Sequence, residues 1–510
     1  MTYRMQGAPE DRSIAAPNIE ARRGKNARRA AAYGAALAAG LGLRLWMLKE
    51  FFQANGDTLT YGELAKNLLL HGRYALPGNA NTLQPSLMRL PGYPLFLAVC
   101  FRLFGVENYV AVTWVQIVLE LVGCLLLADF ARRMAPERMK SAAAMATIWL
   151  AALCPFTAGY TVNPLTETPT LFLIALALWA MARFRERPGW PNALIFTFAV
   201  SYAALLRPDG ALVAVALAPA MVLGLPQGAI QGKRLLRMGL VCTGLALAPF
   251  AAWAWRNWQV FHLFQPLAPR YANDPGEPAL RGWERWFGTW SLDFVSTYQV
   301  YWVVPGGPFD ISELPSRAFD SPAERARTAE LANEYEADGE EISPALDAEF
   351  AALARQRIRA HPVRYYVWLP LGRLADMLLR PRVENLPIDL DWWVYAHHHF
   401  ETRVSWALAG LNVLYFGLGI AGLCLPLRRR RTVVRGPGLR PLFWRASLAY
   451  FVLRCALLLT VAAPEARYTL EFFPFLFAYG GVALAAAGEW ILGRVQPGSS
   501  APVPPGSPAY

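Results

Sequence analysis

The sequence predicts an all-α polytopic membrane protein with about 10 transmembrane helices, outer juxtamembrane helices and a large extracytoplasmic loop. Three observations lead to this prediction. The 510-residue chain is 55% hydrophobic and only 17% charged, which is too apolar for a water-soluble protein of this length. Several segments stay apolar over the roughly 20 residues that a helix needs to cross a bilayer. Lys and Arg cluster in the short connections between them, which is typical of cytoplasmic loops.

The apolar segments follow one another along the chain with short connections, except for one long polar interval. They cover residues 28–49, 109–131, 141–158, 167–184, 190–206, 208–225, 238–258, 403–426, 442–462 and 469–492. Basic residues precede the first segment, as in a signal peptide. Arg44 interrupts it, however, and no small-residue cleavage site follows, so we expect a retained anchor.

The basic clusters predict which side of the membrane each connection occupies. They are Arg22–Arg29, Arg132–Lys140, Arg183–Arg187, Lys233–Arg237 and Arg428–Arg431. We expect the protein in the cell inner (plasma) membrane. If the basic clusters lie on the cytoplasmic side, both termini are also cytoplasmic. If the apolar stretch 92–106 crossed the membrane, every later basic loop would lie outside. The stretch is also short for a span. We therefore predict a re-entrant or juxtamembrane helix there, with residues 50–108 extracytoplasmic.

These assignments divide the chain into five parts. They are a basic cytoplasmic tail (1–27), a transmembrane core with its first outer loop (28–258), an extracytoplasmic loop region (259–402), C-terminal transmembrane helices (403–492) and a disordered cytoplasmic tail rich in Pro, Gly and Ser (493–510). Within the loop region, Ser343 followed by Pro344 predicts a helix start. Its apolar face is expected to pack on the loop region or on the membrane surface.

Composition excludes several other classes of protein. The six cysteines are scattered through apolar segments without CxxC spacing, so they indicate neither a metal site nor a disulfide framework. The net charge of +12 resides in short loops rather than in a basic patch. Nucleic-acid binding is therefore not expected.

The stretch GDTLTYGELAKNLL places Asp57 at the start of an amphipathic helix on the outer membrane surface, which Gly72 closes. Asp57 as a simple helix cap is an equally good interpretation of this stretch alone. Other polar residues are expected at the same outer face, although ionisable residues at span ends are more often interface anchors than ligands. These residues are Arg89, Glu167, Arg207, Arg256, Asn257, Glu465 and Arg467.

Carboxylates and arginines at one membrane face suit sugar transfer from a lipid phosphate. The departing phosphate needs positive charge from arginine more than it needs a proton donor. The acceptor hydroxyl needs a carboxylate to take its proton, a contribution of about 10²- to 10⁴-fold.

The motifs RLPGYPLFLA, LLRPDGALV, WAWRNW, RAHPVRYY and EARYTLEFFPFL follow GD…Y in a fixed order. In this order the chain resembles the C-type superfamily of polyprenyl-phosphate-dependent glycosyltransferases, nearest to the bacterial aminoarabinose-transferase and protein O-mannosyltransferase-like families. The resemblance covers about residues 28–480.

The resemblance implies a polyprenyl-phosphate sugar as donor and a glycan, lipid or protein hydroxyl as acceptor, with the membrane lipid around the site. It makes Asp57 the candidate catalytic base or acceptor-site carboxylate, and Glu167 the second acidic residue of the catalytic site. Arg207, Arg467 and Arg89 become candidate donor-phosphate contacts. Several relatives carry two adjacent acids in the first loop, whereas Thr58 follows Asp57 here. A divalent cation thus remains an open alternative, and no metal ligand is assigned.

Rival interpretations exist for the histidines and for the whole chain. His397, His398 and His399 with Asp389 and Asp391 invite a metal site, but adjacent helical histidines diverge, and neighbouring aromatic residues indicate an interfacial belt. For the chain, the alternatives are a membrane transporter or a polysaccharide polymerase or ligase that handles lipid-linked glycans. A transporter would show repeated halves and charges near the bilayer midplane, and neither is evident.

Overall fold

The structure is a computed structural model that describes residues 16–78, 82–223, 225, 228–391, 398–428 and 439–495. Its regular structure is helical apart from one short antiparallel hairpin, β1 (Ala75–Pro77) with β2 (Leu83–Pro85). The prediction of an all-α membrane protein is confirmed. The tail 496–510, the residues 1–15 and most of the Arg428–Arg431 cluster lie outside the described residues.

The helices before the long polar interval come in chain order. They are α1 (Ala16–Phe51), α2 (Asp57–His71), α3 (Gly92–Phe104), α4 (Tyr109–Met134), α5 (Lys140–Ala152), α6 (Pro155–Thr161), α7 (Glu167–Glu186), α8 (Trp190–Leu206), α9 (Ala211–Val222) and α10 (Gly232–Phe261). The remaining helices are α11 (Arg281–Phe287), α12 (Phe294–Ser296), α13 (Pro322–Ala337), α14 (Pro344–Ala360), α15 (Leu369–Leu379), α16 (His399–Arg428), α17 (Leu439–Leu458) and α18 (Phe473–Val495).

All ten predicted spans coincide with apolar helices. Within the described residues, seven are long and apolar enough to cross a membrane, and the pair α5–α6, bent by 52°, could form an eighth crossing. The predicted spans 190–206 and 208–225 are helices of 17 and 12 residues. These two fall short of the roughly 20 residues of a perpendicular crossing. The segment predicted as a re-entrant or juxtamembrane helix forms α3, of 13 residues.

Glycines let α18 approach its neighbours closely. A Cβ atom on Gly481 would lie 2.0 Å from Thr147 Oγ1 of α5, and one on Gly422 of α16 would lie 1.9 Å from the Tyr479 carbonyl oxygen. Small residues permit this backbone contact between membrane helices, where dispersion and hydrogen bonds take the place of the hydrophobic effect. The close packing holds α18, whose start directly follows the segment that contains Arg467.

A buried ion pair accompanies the break between α5 and α6. Arg44 Nε of α1 donates to Glu120 Oε2 of α4 at 2.5 Å, and Arg44 Nη1 donates to the Ala152 carbonyl oxygen at 2.7 Å. Ala152 ends α5, and Pro155 begins α6 without an N–H group to continue the helical bonding. Arg44 therefore satisfies a carbonyl that the break leaves without a helical partner.

The region 259–402 contains a hydrophobic core of its own, rich in tryptophan. Trp283 and Trp286 of α11 pack with Phe350 of α14, with ring centroids 5.0 and 5.2 Å apart. As predicted, Ser343 precedes a helix, and its hydroxyl accepts a hydrogen bond from the Leu346 N–H at 3.3 Å. Of the two packing partners considered for the apolar face of α14, the loop region itself is the one observed.

Candidate active site

Asp57 is the first residue of α2, and Gly56, with φ of 50°, occupies the cap position without a side-chain cap bond. The interpretation of Asp57 as a simple helix cap is therefore wrong. Its carboxylate accepts instead from two arginines that arrive from distant parts of the chain. Arg89 Nη2 lies 2.7 Å from Oδ1, and Arg467 Nη1 lies 3.2 Å from Oδ2.

Glu167 is the first residue of α7, as predicted, and its side chain is buried. Arg207 Nη1 donates to Glu167 Oε1 at 3.1 Å. Arg467 Nη1 lies 3.9 Å from the same oxygen. Arg467 thus stands between the Asp57 and Glu167 carboxylates.

Arg207 and Arg467 are held in place by local chain geometry as well as by charge. Arg207 directly follows α8 and has an extended conformation. Pro208 favours this conformation, because a proline disfavours the helical conformation of the residue before it. Arg467 lies in a 3₁₀ helix that leads into α18, and its Nε is 2.5 Å from Glu465 Oε2. Both guanidinium groups lie over the ring of Tyr468, at 5.6 and 5.7 Å.

A cavity of about 650 Å³ brings all five predicted site residues together. Asp57, Arg89, Glu167, Arg207 and Arg467 all line it. Polar and apolar walls meet here, because leucines of α8, α9 and α17 line the same space. A volume of this size suits a ligand of several rings or a headgroup with the start of a chain.

The pKa of Asp57 reflects two opposing influences. Burial disfavours the charged carboxylate, but the positive charges of Arg89 and Arg467 outweigh burial and hold the pKa below its ordinary value. Asp57 is therefore ionised at neutral pH. Each carboxylate oxygen of Asp57 has two lone pairs and accepts one hydrogen bond from an arginine, so each oxygen can accept a further donor.

Three charged residues that contact the site were missed in the sequence. Asp209, Arg454 and Glu471 form a second charged group beside Arg207, whose Nε lies 3.4 Å from Asp209 and 3.5 Å from Glu471. Arg454 pairs with both acids, at 3.1 Å from Glu471. Its isolated position in the apolar helix α17 was a usable signal, because ionisable residues inside membrane segments are rarely incidental.

Arg256 and Asn257, which were grouped with the outer-face residues, do not line this cavity. Arg256 donates to the carbonyl oxygens of Ser86 and Tyr74, each at 2.7 Å. Asn257 Nδ2 donates to the Gln265 carbonyl oxygen at 2.7 Å. Both residues therefore tie α10 to neighbouring loops.

The histidine region contains one group with metal-binding geometry among the residues described. Asp389, His398 and Glu401 each place a ligand atom within 4.8 Å of the others. His397 lies outside the described residues, and Asp391 and His399 are not in the group. The interpretation against a metal at the three adjacent histidines stays a prediction.

A family model described as dolichyl-phosphate-mannose-protein mannosyltransferase matches residues 85–255. This match is to a family of glycosyltransferases. It confirms the resemblance seen in the sequence motifs. The matched segment contains Arg89, Glu167 and Arg207, whereas Asp57 and Arg467 lie outside it. A comparison with curated proteins found no match.

Two groups of solved structures are similar in fold at low identity. The Archaeoglobus fulgidus oligosaccharyltransferase AglB, in complex with an inhibitory peptide and a dolichol-phosphate, matches at 12% identity and a TM-score of 0.46, covering 94% of this chain and 53% of that chain. ArnT from Cupriavidus metallidurans, bound to undecaprenyl phosphate, matches at 17% identity and a TM-score of 0.38. The match covers 89% of this chain and 78% of that chain. This chain thus spans about half the length of the oligosaccharyltransferase.

Proposed function

We propose that this protein transfers a sugar from a polyprenyl-phosphate donor to a hydroxyl acceptor at the extracytoplasmic face of the membrane. One observation carries the proposal. Five residues selected from the sequence, on segments as distant as 57 and 467, line one cavity at helix ends. The description of the matching family supports a donor of the lipid-phosphate sugar class.

In the proposed reaction the acceptor oxygen attacks the anomeric carbon of the donor sugar. A carbon–oxygen bond forms to the acceptor, and the bond from the anomeric carbon to the phosphate oxygen breaks. The electron pair of that bond stays on the phosphate, so polyprenyl phosphate leaves with one more negative charge. The acceptor proton passes to Asp57.

The arginines would stabilise the charge that develops on the departing phosphate. Arg207 and Arg467 present guanidinium groups to the cavity, and Arg89 completes the set beside Asp57. Guanidinium matches phosphate oxygens with two parallel hydrogen bonds and stays charged when buried. Donors placed where charge develops in the transition state accelerate the reaction. Glu167 would position Arg207 and Arg467 through the contacts already described.

Asp57 would be a weak base while both arginines bind it. Donor phosphate competes for the same guanidinium groups. When an arginine turns from Asp57 toward the phosphate, less positive charge remains to oppose the effect of burial. The pKa of Asp57 therefore rises. The base would thus become stronger once the donor is in place.

The residues present do not favour a divalent cation at this site. Such ions are held by several oxygen ligands in a compact set. Here Asp57 and Glu167 already bind arginines, and Arg467 stands between them. The proposed mechanism therefore contains no step through a metal.

The proposed sidedness rests on the two ends of α7. Glu167 at its start lines the cavity, and Glu186 at its end pairs with Arg133 from the basic cluster after α4. A helix of 20 residues separates these ends by about 30 Å. If the basic clusters are cytoplasmic, the cavity opens to the extracytoplasmic side of the inner membrane, with both termini inside.

The test is to supply membranes containing the protein with a radiolabelled polyprenyl-phosphate sugar. Transfer predicts that label moves to an acceptor and that polyprenyl phosphate is released in equal amount. A donor bond that stays intact while the labelled lipid changes sides of the membrane would indicate a transporter instead. Membranes with the Asp57→Asn variant are the matched control for background hydrolysis.

A further inference from the structure

A second cavity, of about 680 Å³, adjoins the candidate active site. Arg270 lines both cavities. The end of α17 and the segment after it form part of both walls, because Leu458 and Val461 line the first cavity while Thr460 and Ala462 line the second. A ligand in the second cavity would therefore be separated from the first cavity by this shared wall alone.

A buried arginine without a carboxylate partner lines this second cavity. Arg373 is only 4% exposed, and its guanidinium donates to the carbonyl oxygens of Ser291, Val461 and Gly288 at 3.0, 3.2 and 2.5 Å. Among the described residues no carboxylate lies within 4.0 Å of it. Burial lowers the pKa of Arg373 to about 10. A buried charge that lacks an opposite charge is costly.

The other charges of the cavity do not relieve this excess. Arg270, Arg281 and Arg285 line the same space and are exposed, and in the described part of the chain none has a carboxylate within 4.0 Å. The two acids of the lining are engaged elsewhere. Asp347 accepts from the Gly282 and Trp283 N–H groups, and Glu284 accepts from the Tyr301 hydroxyl. With four arginines and two carboxylates, the lining of the second cavity has a net charge of +2.

Aromatic rings complete the lining. Tyr365 and Tyr366 pack edge to face at 4.8 Å. The guanidinium groups of Arg270 and Arg281 lie 5.6 and 5.5 Å from the centroid of the Tyr271 ring. Tyrosine offers a flat apolar face with a polar rim, which suits a sugar ring. The combination of rings and unpaired arginines differs from an ordinary solvated surface, where charges of both signs alternate.

We propose that the second cavity binds an anionic sugar of the acceptor, one that carries a phosphate or a carboxylate. This inference rests on the proposed function, because the shared wall places such a sugar next to the cavity that Asp57 lines. The arginines would pair with the oxyanion and the tyrosines would pack on the ring. The accepting hydroxyl would then belong to this sugar or to its neighbour.

The test measures binding of labelled oligosaccharides to the full-length protein in detergent at low salt. The three probes are tetragalacturonate, maltotetraose with one phosphate ester, and unmodified maltotetraose. We expect at least one charged probe to bind about tenfold or more tightly than the neutral one. The stronger of the two charged probes identifies carboxylate or phosphate as the recognised group.

The double variant Arg281→Gln with Arg285→Gln should remove most of this preference. The matched control is Arg355→Gln with Arg359→Gln, which removes two exposed arginines of α14 that line neither cavity. Equal affinity for charged and neutral probes would overturn the inference. So would an equal loss of the preference in both double variants.

Failure of this inference is distinguishable from failure of the proposed function. Asp57→Asn should keep the preference for charged probes, because Asp57 does not line the second cavity. Loss of transfer in Asp57→Asn without any charge preference would refute only the anionic acceptor. A charge preference with normal transfer in Asp57→Asn would refute only the proposed role of Asp57.

Discussion

Arg467 Nη1 lies 3.2 Å from Asp57 Oδ2, although the two residues are 410 positions apart in the chain. The contact joins the start of α2 to the segment that leads into α18. Because Arg467 also approaches Glu167, one guanidinium links three separate elements of the candidate site. Its dual position makes the site sensitive to changes in any of these side chains.

Asp57→Asn should reduce the rate of sugar transfer by about 10²- to 10⁴-fold, because the amide cannot take the acceptor proton. Expression and donor binding should stay close to wild type, since the two groups have nearly the same shape. Initial rates with a labelled donor measure the effect. Asp310→Asn, on an exposed loop residue, is the control. Wild-type turnover in Asp57→Asn would exclude this residue as the base.

Arg467→Ala should weaken donor binding by about 10- to 100-fold, as expected when a charge-assisted contact to phosphate is lost. Arg467→Lys should recover part of the affinity, because a lysine keeps the charge but not the planar fork. Equilibrium binding of a labelled polyprenyl-phosphate sugar to purified protein is the measurement, with Arg355→Ala as control. Unchanged donor affinity in Arg467→Ala would argue against a phosphate contact.

Arg89→Gln should move the acid limb of the pH–rate profile to higher pH. Asp57 acts only when it is unprotonated, and its pKa in the wild type lies below the ordinary value of about 3.9. Arg89 is the strongest of the charges that lower this pKa, so without it the effect of burial raises the pKa. Rates at saturating donor from about pH 4 to pH 8 would show the shift. An acid limb at the same pH in the variant and the wild type would show that Arg89 does not influence the ionisation of Asp57.

Removal of divalent cations should leave transfer unchanged, because Arg467 already supplies positive charge between Asp57 and Glu167. Purified protein would be treated with EDTA and then assayed with and without added Mg²⁺ or Mn²⁺. A parallel assay of Asp389→Ala distinguishes a metal effect at the candidate active site from one at the group of Asp389, His398 and Glu401. Loss of activity on chelation, with recovery on adding metal, would contradict the metal-free mechanism.

The sequence predicted those features that depend on local pattern. Hydrophobic runs identified the helices, and Gly72 and Ser343 identified helix ends, because these signals act within a few residues. Asp57 and Glu167 could be selected because each begins a helix beside a span. Pairing was not predictable in this way. Arg454 pairs with Asp209, and Arg373 binds the carbonyl oxygen of Gly288 just after α11. Both contacts depend on how distant helices pack, and no local pattern encodes them.

The wrong interpretation of Asp57 as a cap has the same origin. A short polar residue at a helix start is normally satisfied by the backbone N–H groups next to it. In this chain Arg89 and Arg467 offer charged donors, which bind a carboxylate more strongly than neutral N–H groups do. Tertiary contact therefore overrides the local preference, and only the folded chain reveals it.

Glu120→Leu should destabilise the protein by about 3–5 kcal/mol, because it leaves the buried Arg44 guanidinium without its carboxylate. The double variant Arg44→Met with Glu120→Leu should be more stable than Glu120→Leu alone, since both buried charges are then gone. It should not reach the wild type fully, because Arg44 also binds the Ala152 carbonyl at the α5–α6 break. Thermal unfolding in one detergent compares the three proteins, with Leu153→Ala at a partly exposed position nearby as control. A double variant less stable than the single one would mean that Arg44 stabilises the break more than it stabilises its ion pair.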